Sequence, residues 1–358
     1  MVRFTVLASG SKGNSAVVTC LSGSGGSTRI LVDAGLSCRE LFRRMRMAGE
    51  DPSTLDAILI THEHQDHVNG LAVTARKLGI PVYFTEATHR AWVRQVTPQK
   101  RVSYAEWAAQ YAAKKRMNGP HPPPFPGPAP DPSPDPEPVP DPNPIPEPMP
   151  MVAAQELGQE PGQENGGLCH FTPDPRTAEA QEAASPAPDP TRLPSVAYFR
   201  AGEAFSIGDV QISPFTIPHD AADPVGFVFT AEGVRLAVAT DLGYMPPNVQ
   251  AQLRRCDLIM LESNHDLEML RDGPYPWSVK QRVLSRVGHL SNTATAAYLE
   301  QSYDGSAAYL ILAHLSESNN LPDLARIAAE RALVSKPSLL GNRLFLAAQH
   351  EPMAPVCF

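Results

Sequence analysis

Apolar residues at the strand and helix periods divide the chain into two similar stretches. Near the N-terminus, Phe4-Thr5-Val6-Leu7-Ala8 predicts a buried strand over 3–8, and the turn formers Ser9-Gly10-Ser11-Lys12-Gly13-Asn14-Ser15 follow it. Strands are predicted over 16–20 and 29–33, joined by turn residues 23–27, so the chain opens as a meander. Leu41, Phe42 and Met45 fall at helical spacing, with Ser37 as N-cap and Gly49 as the stop. The run Ala57-Ile58-Leu59-Ile60 predicts a strand over 55–61. A helix is expected from Asp66 or His67 to about Leu78, then a strand over 81–85 and helices over 86–93 and 103–117.

The second stretch repeats this order. Strands are predicted over 197–205 and 210–217, and 225–230 pairs with 235–239 around Ala231-Glu232-Gly233. A helix over 246–254 starts on proline. Strand 258–262, helix 292–303, strand 307–313 and helix 322–334 complete the pattern, which is weak beyond Lys336. Two α/β halves of this kind predict two sheets packed face to face with helices outside, a four-layer αββα sandwich.

Composition changes the picture between the halves. Of 38 prolines, 24 fall between Pro120 and Pro194, where the fixed φ and missing N–H exclude helices and central strands. Alternating Pro with Asp, Glu, Ser, Val or Ile predicts an extended, disordered insertion over 120–194 within one domain spanning 1–358. Such tracts are spacers or docking sites for a proline-reading protein partner. The segment carries 12 acidic and 2 basic residues, so the formal charge of −8 is its own, and the remaining 283 residues carry +2. A near-neutral body neither excludes nor announces a polyanionic substrate.

Five cysteines, an odd number with no C-x-x-C, argue against a disulfide framework and a cysteine-based zinc site. With no signal peptide or membrane span in the sequence, a cytoplasmic protein with reduced thiols and no membrane partner is expected. Oligomeric state leaves no trace in the sequence.

The chemistry is concentrated in Thr61-His62-Glu63-His64-Gln65-Asp66-His67. At this chain's His and Asp frequencies, H-x-H-x-D-H arises by chance on the order of once in a thousand chains or fewer. His62 and His64, two apart on extended backbone, point to one side. Where the chain turns into a helix, Asp66 and His67 swing to a neighbouring point. Two nitrogens then serve one divalent ion, and a carboxylate with a third imidazole serves a second. Further candidates sit just past predicted strands: His219, Asp241 and His314.

This set resembles the metallo-β-lactamase-fold hydrolases, in which H-x-H-x-D-H is followed by a distant His, a bridging Asp and a final His. The resemblance implies that His62, His64 and His219 hold one metal, that Asp66, His67 and His314 hold the other, and that Asp241 bridges them. It implies two divalent ions, zinc or alternatively manganese, and matches the αββα sandwich read from the pattern. Asp33 matches the family's early Asp, whose carboxylate would hold a ligand histidine in one tautomer. Residues 8–15, Pro218-His219-Asp220-Ala221, Ala239-Thr240-Asp241-Leu242-Gly243, Leu261-Glu262-Ser263-Asn264-His265-Asp266 and Gly288-His289-Leu290-Ser291-Asn292 look like the bacterial YycJ/WalJ-type branch. That branch is associated with 5′→3′ exonuclease activity on double-stranded DNA. The layout is also similar to ribonuclease Z, but its His-Glu-Ala-Thr motif is here Leu261-Glu262-Ser263-Asn264.

The expected reaction is metal-assisted hydrolysis of a phosphodiester in nucleic acid, with DNA favoured over RNA. Asp66 would orient the attacking water. His289 is the leading candidate to protonate the leaving oxygen, and His265 is second. Ser291 or Asn292 reads as the N-cap of the helix that follows. The loop 10–15 with Lys12 reads as a tight turn or a phosphate nest, and Arg39, Arg43, Arg44 and Arg46 as a solvated or a nucleic-acid-binding helix face. A thioesterase or lactonase of the same fold, and a non-catalytic scaffold built around the proline tract, are the competing readings.

Overall fold

A computed structural model describes residues 1–23, 25–97, 189–334, 336 and 341–358. The predicted helix over 103–117 and nearly all of the proline-rich insertion lie outside the described residues.

The first sheet is built mainly from the first stretch. β1 (Val2–Ala8), β2 (Ser15–Leu21) and β3 (Ser27–Val32) form the antiparallel meander. α1 (Cys38–Met47) then leads to β4 (Ala57–Leu59), which is parallel to β3. Next come α2 (Gln65–Val68), α3 (Leu71–Leu78), β5 (Pro81–Phe84) and α4 (Glu86–Val96). The second sheet takes β7 (Phe205–Ile207), β8 (Val210–Thr216), β9 (Val225–Ala231) and β10 (Val234–Ala239). It continues through α5 (Pro247–Leu253), β11 (Leu258–Glu262), α6 (Leu267–Asp272), α7 (Trp277–Val283) and α8 (Asn292–Gln301). β12 (Tyr309–Ala313), α9 (Pro322–Leu333) and β13 (Arg343–Leu346) close it.

Each sheet has seven strands, in the orders β14-β1-β2-β3-β4-β5-β6 and β13-β12-β11-β10-β9-β8-β7. β6 (Ser195–Tyr198) and β14 (Val356–Cys357) come from the second stretch yet pair with β5 and β1 at the two edges of the first sheet. The single strand expected over 197–205 is therefore two strands in different sheets. The chain changes sheets at Phe199–Ala204, where its backbone leaves one ladder before joining the other.

Three apolar layers hold this together. Phe4, Val18 and Ile30 of the first sheet pack with Phe227, Phe229 and Met260 of the second. The alternate residues Leu7, Val17 and Leu31 face α1, α3 and α4, where Leu41, Met45, Ala75 and Trp92 cover them. Ile259, Leu310 and Leu312 are covered in the same way by α5, α8 and α9. Strands buried on both faces read as continuous apolar runs, which is why the pattern located them. Each fully buried Leu, Ile or Phe contributes about 1.5–3 kcal/mol. Together these layers are the expected αββα sandwich.

The helix expected from Asp66 to Leu78 is interrupted at Asn69-Gly70. The Gly70 N–H is turned to the Ala34 carbonyl (2.8 Å), and a Cβ there would lie 1.9 Å from the Leu36 carbonyl oxygen. Close packing of two loops thus overrides helix continuity. Ser291 caps α8, its hydroxyl accepting from Ala294 N at 3.1 Å, while Asn292 bonds Ser263 and Asn320 instead. Among the described residues no helix is long and apolar enough to cross a membrane.

Candidate metal centre

All seven predicted donors meet at one rim. His62, His64, Asp66 and His67 occupy the turn between β4 and α2. His219 follows β8, while Asp241 and His314 stand just beyond β10 and β12. Asp33, Asp241 and His314 have φ values of 58°, 64° and 56°, in the left-handed region that residues with a Cβ rarely adopt. Each ends a strand by turning its backbone sharply at the rim. Such positions cost of order 1–3 kcal/mol each and persist when neighbours over-determine them. Here Asp33 N donates to Leu59 O (2.9 Å), and His314 N donates to Ser9 Oγ (2.8 Å).

The partners of the rings fix their tautomers. His64 Nε2 lies 3.2 Å from the Asp220 carbonyl, and His219 Nδ1 lies 3.1 Å from the Gly288 carbonyl. A carbonyl only accepts, so both of these nitrogens carry hydrogen. The other two, His64 Nδ1 and His219 Nε2, are left as lone pairs 3.2 Å apart. Thr61 Oγ1 donates to Asp33 Oδ2 (2.8 Å) and therefore accepts from His62 Nδ1 (3.0 Å). That leaves His62 Nε2 buried without a hydrogen-bond partner. The donor atoms of His62, His64 and His219 all lie within 4.8 Å of one another. Three converging lone pairs repel unless a cation lies among them, and three imidazoles suit zinc or a similar divalent ion.

Asp66, His67 and His314 form a second group of the same tightness. Asp66 Oδ2 is 3.5 Å from His67 Nε2 and 3.4 Å from His314 Nε2. His67 gives its Nδ1–H to Asp33 (2.8 Å), and His314 gives its own to Glu262 (2.9 Å), so both turn Nε2 inward. Asp241 lies between the groups, with Oδ2 3.4 Å from His67 Nε2 and Oδ1 3.5 Å from His314 Nε2 and 3.9 Å from His219 Nε2. Its Oδ2 is buried with no hydrogen-bond partner. The residues present thus fit a pair of divalent cations.

Glu262, at the end of β11, is the residue that the sequence reading missed. Its Oε1 accepts from both His289 Nδ1 (2.8 Å) and His314 Nδ1 (2.9 Å), and its Oε2 accepts from Leu242 N (2.6 Å) and Leu290 N (3.2 Å). With four hydrogen bonds accepted, it orients the His289 and His314 rings, and with these two and Asp241 it forms a further close group of possible donors. Burial would raise this carboxyl, but His289 and His314 hold it down at about 2. Asn14 is a second omission: its Nδ2 lies 3.1 Å from Asp66 Oδ2 and 3.0 Å from His67 Nε2.

His289 sits beside the donors, its ring centroid 5.1 Å from those of His219 and His314. His265 is not brought there. It is 1% exposed, belongs to neither donor group, and burial lowers it to about 4, so near neutral pH the ring is uncharged and lacks the imidazolium proton that a general acid gives. The phosphate-nest reading of loop 10–15 also falls. The N–H groups of Gly10, Lys12, Gly13 and Asn14 are spent on Asn14 Oδ1, Gln349 Oε1, Gly10 O and Asp66 O, and Lys12 Nζ pairs with Glu317. The α1 arginines are partly structural. Arg44, 5% exposed, donates to the Leu7 and Gln349 carbonyls, and it shares Glu40 with Arg43.

The cluster has a pH signature once metal is stripped. Burial opposes charge at His67, but Asp241, Asp33 and Asp66 outweigh it and raise the ring well above its ordinary 6.5. His314 is raised likewise, against its burial, by Asp241, Asp66 and Glu262. Burial and the nearby His67 push His62 well below 6.5, and burial lowers His219. The raised pair stabilises the fold fully below pH 6.5, and that contribution is lost as pH climbs through the folded values. The lowered pair destabilises it as pH falls below 6.5, where the unfolded rings take up protons. Chelated protein is therefore expected to melt highest near pH 6.5 and lower on both sides. A metal held by His67 and His314 would replace their protons, so the alkaline loss should disappear on loading. Melting curves across pH, with and without chelator, check this; an unchanged alkaline limb after loading counts against it.

Comparison with known proteins agrees with this geometry. A family model described as the beta-lactamase superfamily domain matches residues 28–115 and 169–315. The chain is 28% identical over 339 residues to the exodeoxyribonuclease YycJ of Bacillus anthracis, covering 94% of this chain and 90% of the relative. It is 26% identical over 325 residues to the exodeoxyribonuclease WalJ of Streptococcus pneumoniae (strain D39), covering 91% and 86%. Among solved structures, the metallo-β-lactamase fold protein YhfI from Bacillus subtilis superposes with a TM-score of 0.55 at 12% identity, covering 98% of each chain. Zinc-bound PqqB from Methylobacterium extorquens gives 0.53 at 14% identity, covering 98% and 99%. With its two-sheet sandwich and its histidine–carboxylate rim, the chain belongs to the β-lactamase superfamily and is a metal-dependent hydrolase.

Proposed function

We propose that this enzyme is a dinuclear nuclease that cleaves phosphodiester bonds of DNA, acting as a 5′→3′ exonuclease. The observation that carries this reading is the pair of donor groups joined by Asp241 on a chain that is similar over most of its length to two exodeoxyribonucleases. His62, His64 and His219 would hold one ion, Asp66, His67 and His314 the other, with Asp241 shared. The imidazole-rich set favours zinc, with manganese as the alternative. Two divalent cations so placed supply Lewis acidity toward a phosphoryl oxygen and a nucleophile at neutral pH.

The chain's own groups do the rest. Asp66 reaches a cleft of about 550 Å³ that His64, Gln65, Asn69, Gln95 and Arg282 also line. Its carboxylate orients the attacking water there and takes up its proton. His289 gives a proton to the leaving oxygen, and Glu262, bonded to His289 Nδ1, fixes the orientation of the ring. Asp33 and Thr61 keep His67 and His62 in the tautomers that aim Nε2 inward.

The test is a substrate panel with zinc- or manganese-loaded protein. Duplex DNA bearing a 5′-phosphate should be degraded from that end, with precursor tRNA, thioesters and lactones left largely intact. Rapid turnover of a small ester with both nucleic acids untouched would refute the nuclease reading. The four described cysteines that are free thiols, Cys20, Cys38, Cys256 and Cys357, suit a reducing cytoplasm, where we place the enzyme.

We also read the chain as one domain interrupted by the proline-rich insertion, because strands from both sides of it share the first sheet. Residues 189–194 belong to the body, with Leu193 against the first sheet's helix-side core and Arg76 donating to the Asp189 and Arg192 carbonyls, so deleting 120–188 should leave soluble protein with unchanged metal content. Loss of metallated protein would assign that segment a structural part.

A further inference from the structure

Beside the centre, residues 274–288 carry Lys280, Arg282 and Arg286 and no acidic residue. Most of this segment is exposed, including large apolar side chains: Trp277 is 67% exposed, and Leu284 and Val287 also face solvent. Lys280 Nζ donates to the Arg271 carbonyl (2.6 Å) and Arg282 pairs with Asp220, whereas Trp277 and Arg286 stand in water beside the hydrolytic cleft and have no role in the fold's cores.

The segment is fixed to the metal loops. A Cβ at Gly243, two residues past Asp241, would lie 2.2 Å from the Arg286 carbonyl oxygen, so the two backbones touch. Asp220 N, next to His219, donates to Val287 O at 3.1 Å. Arg282 lines the same cleft as His64 and Asp66, held there by Asp220 (2.5 and 3.0 Å). Arg286 lies over the ring of Tyr244, 4.3 Å from its centroid, and among the described residues no carboxylate pairs with it. Trp277 opens α7, and Arg282 stands in the last turn of the same helix.

Resting on the nuclease reading, we propose that residues 274–288 with Tyr244 form a platform for a single polynucleotide strand. Trp277 stacks on an unpaired base, and Arg286 follows the phosphates that lead to the cleft. Stacking tolerates any base because every base has a π-face, and the cations supply sequence-independent attraction. Charge complementarity and continuity with the cleft point to a strand and not to a lipid surface.

The test uses full-length, metal-loaded protein and two measurements. The first is anisotropy with a fluorescent, hydrolysis-resistant phosphorothioate single strand. Trp277→Ala and Arg286→Glu should each weaken binding on the order of tenfold. Arg286→Glu should also flatten the salt dependence. Metal content and melting temperature should stay at wild-type levels, and Arg326→Glu on α9 should bind like wild type. The second is hydrolysis of 5′-phosphorylated strands of increasing length. Both platform variants should raise KM on long strands with kcat nearly unchanged. Wild-type binding by both variants overturns the platform, as does retention on anionic vesicles that the variants lose while their strand binding is intact. Tight strand binding lost in the variants, with no hydrolysis of single strands or of 5′-phosphorylated duplex by any protein, upholds the platform and overturns the nuclease reading.

Discussion

Asp241→Ala protein is expected to purify with no more than about one metal equivalent per chain, against about two for wild type, and to lose activity by more than about a hundredfold. Residues that merely orient ligands cost about 10–100-fold in affinity or activity, so a carboxylate placed between both donor groups must cost more. Burial opposes the Asp241 charge, yet His314 and His67 beside it hold the carboxyl well below its ordinary range. Removing it leaves the facing nitrogens of His67, His219 and His314 without their shared anion. His64→Ala should lose metal from the three-imidazole group in the same way. Metal analysis after gel filtration decides the matter: two equivalents in both variants would show that the ligands are elsewhere.

Glu262→Ala should damage stability and catalysis together. The side chain is completely buried and accepts four hydrogen bonds, from His289, His314, Leu242 and Leu290. Truncation strands all four donors, and breaking such a buried charged pair costs about 3–5 kcal/mol. Activity should fall by about 10–100-fold in the protein that remains folded, because His314 loses the bond that sets its tautomer and His289 the anion behind its proton. Glu262→Gln retains the shape and should recover most of the melting temperature but not the activity. If activity returns with stability, Glu262 serves the fold alone.

The reason that the donors were legible while Glu262 was not lies in how local each signal is. His62, His64, Asp66 and His67 fall within six residues, so their spacing speaks for itself. His219, Asp241 and His314 follow strands that apolar runs reveal. Glu262 reads as the last residue of a buried strand, and its meaning comes from His289 and His314, 27 and 52 positions away. Asn14 likewise sits in a turn-forming loop, and only the fold brings it to Asp66 and His67. β13 buries no side chain completely and β14 has two residues, so neither shows the continuous apolar run that marked the similarly short β4. α6 and α7 escaped for the opposite reason: they bury few side chains, so no apolar stripe marks them.

β6 and β14 carry a consequence for the covalent chain itself. The piece before the insertion contributes β1 to β5, while the piece after it contributes both outer strands of that same sheet and the whole of the other. Neither piece owns a complete active centre, because four donors precede the interruption and three follow it. The two are clasped by main-chain pairing at both edges. A protease nick between them would therefore leave an assembly that stays together without the connecting peptide. Separately expressed fragments would be inert until they found each other, and their union would be reported by catalysis.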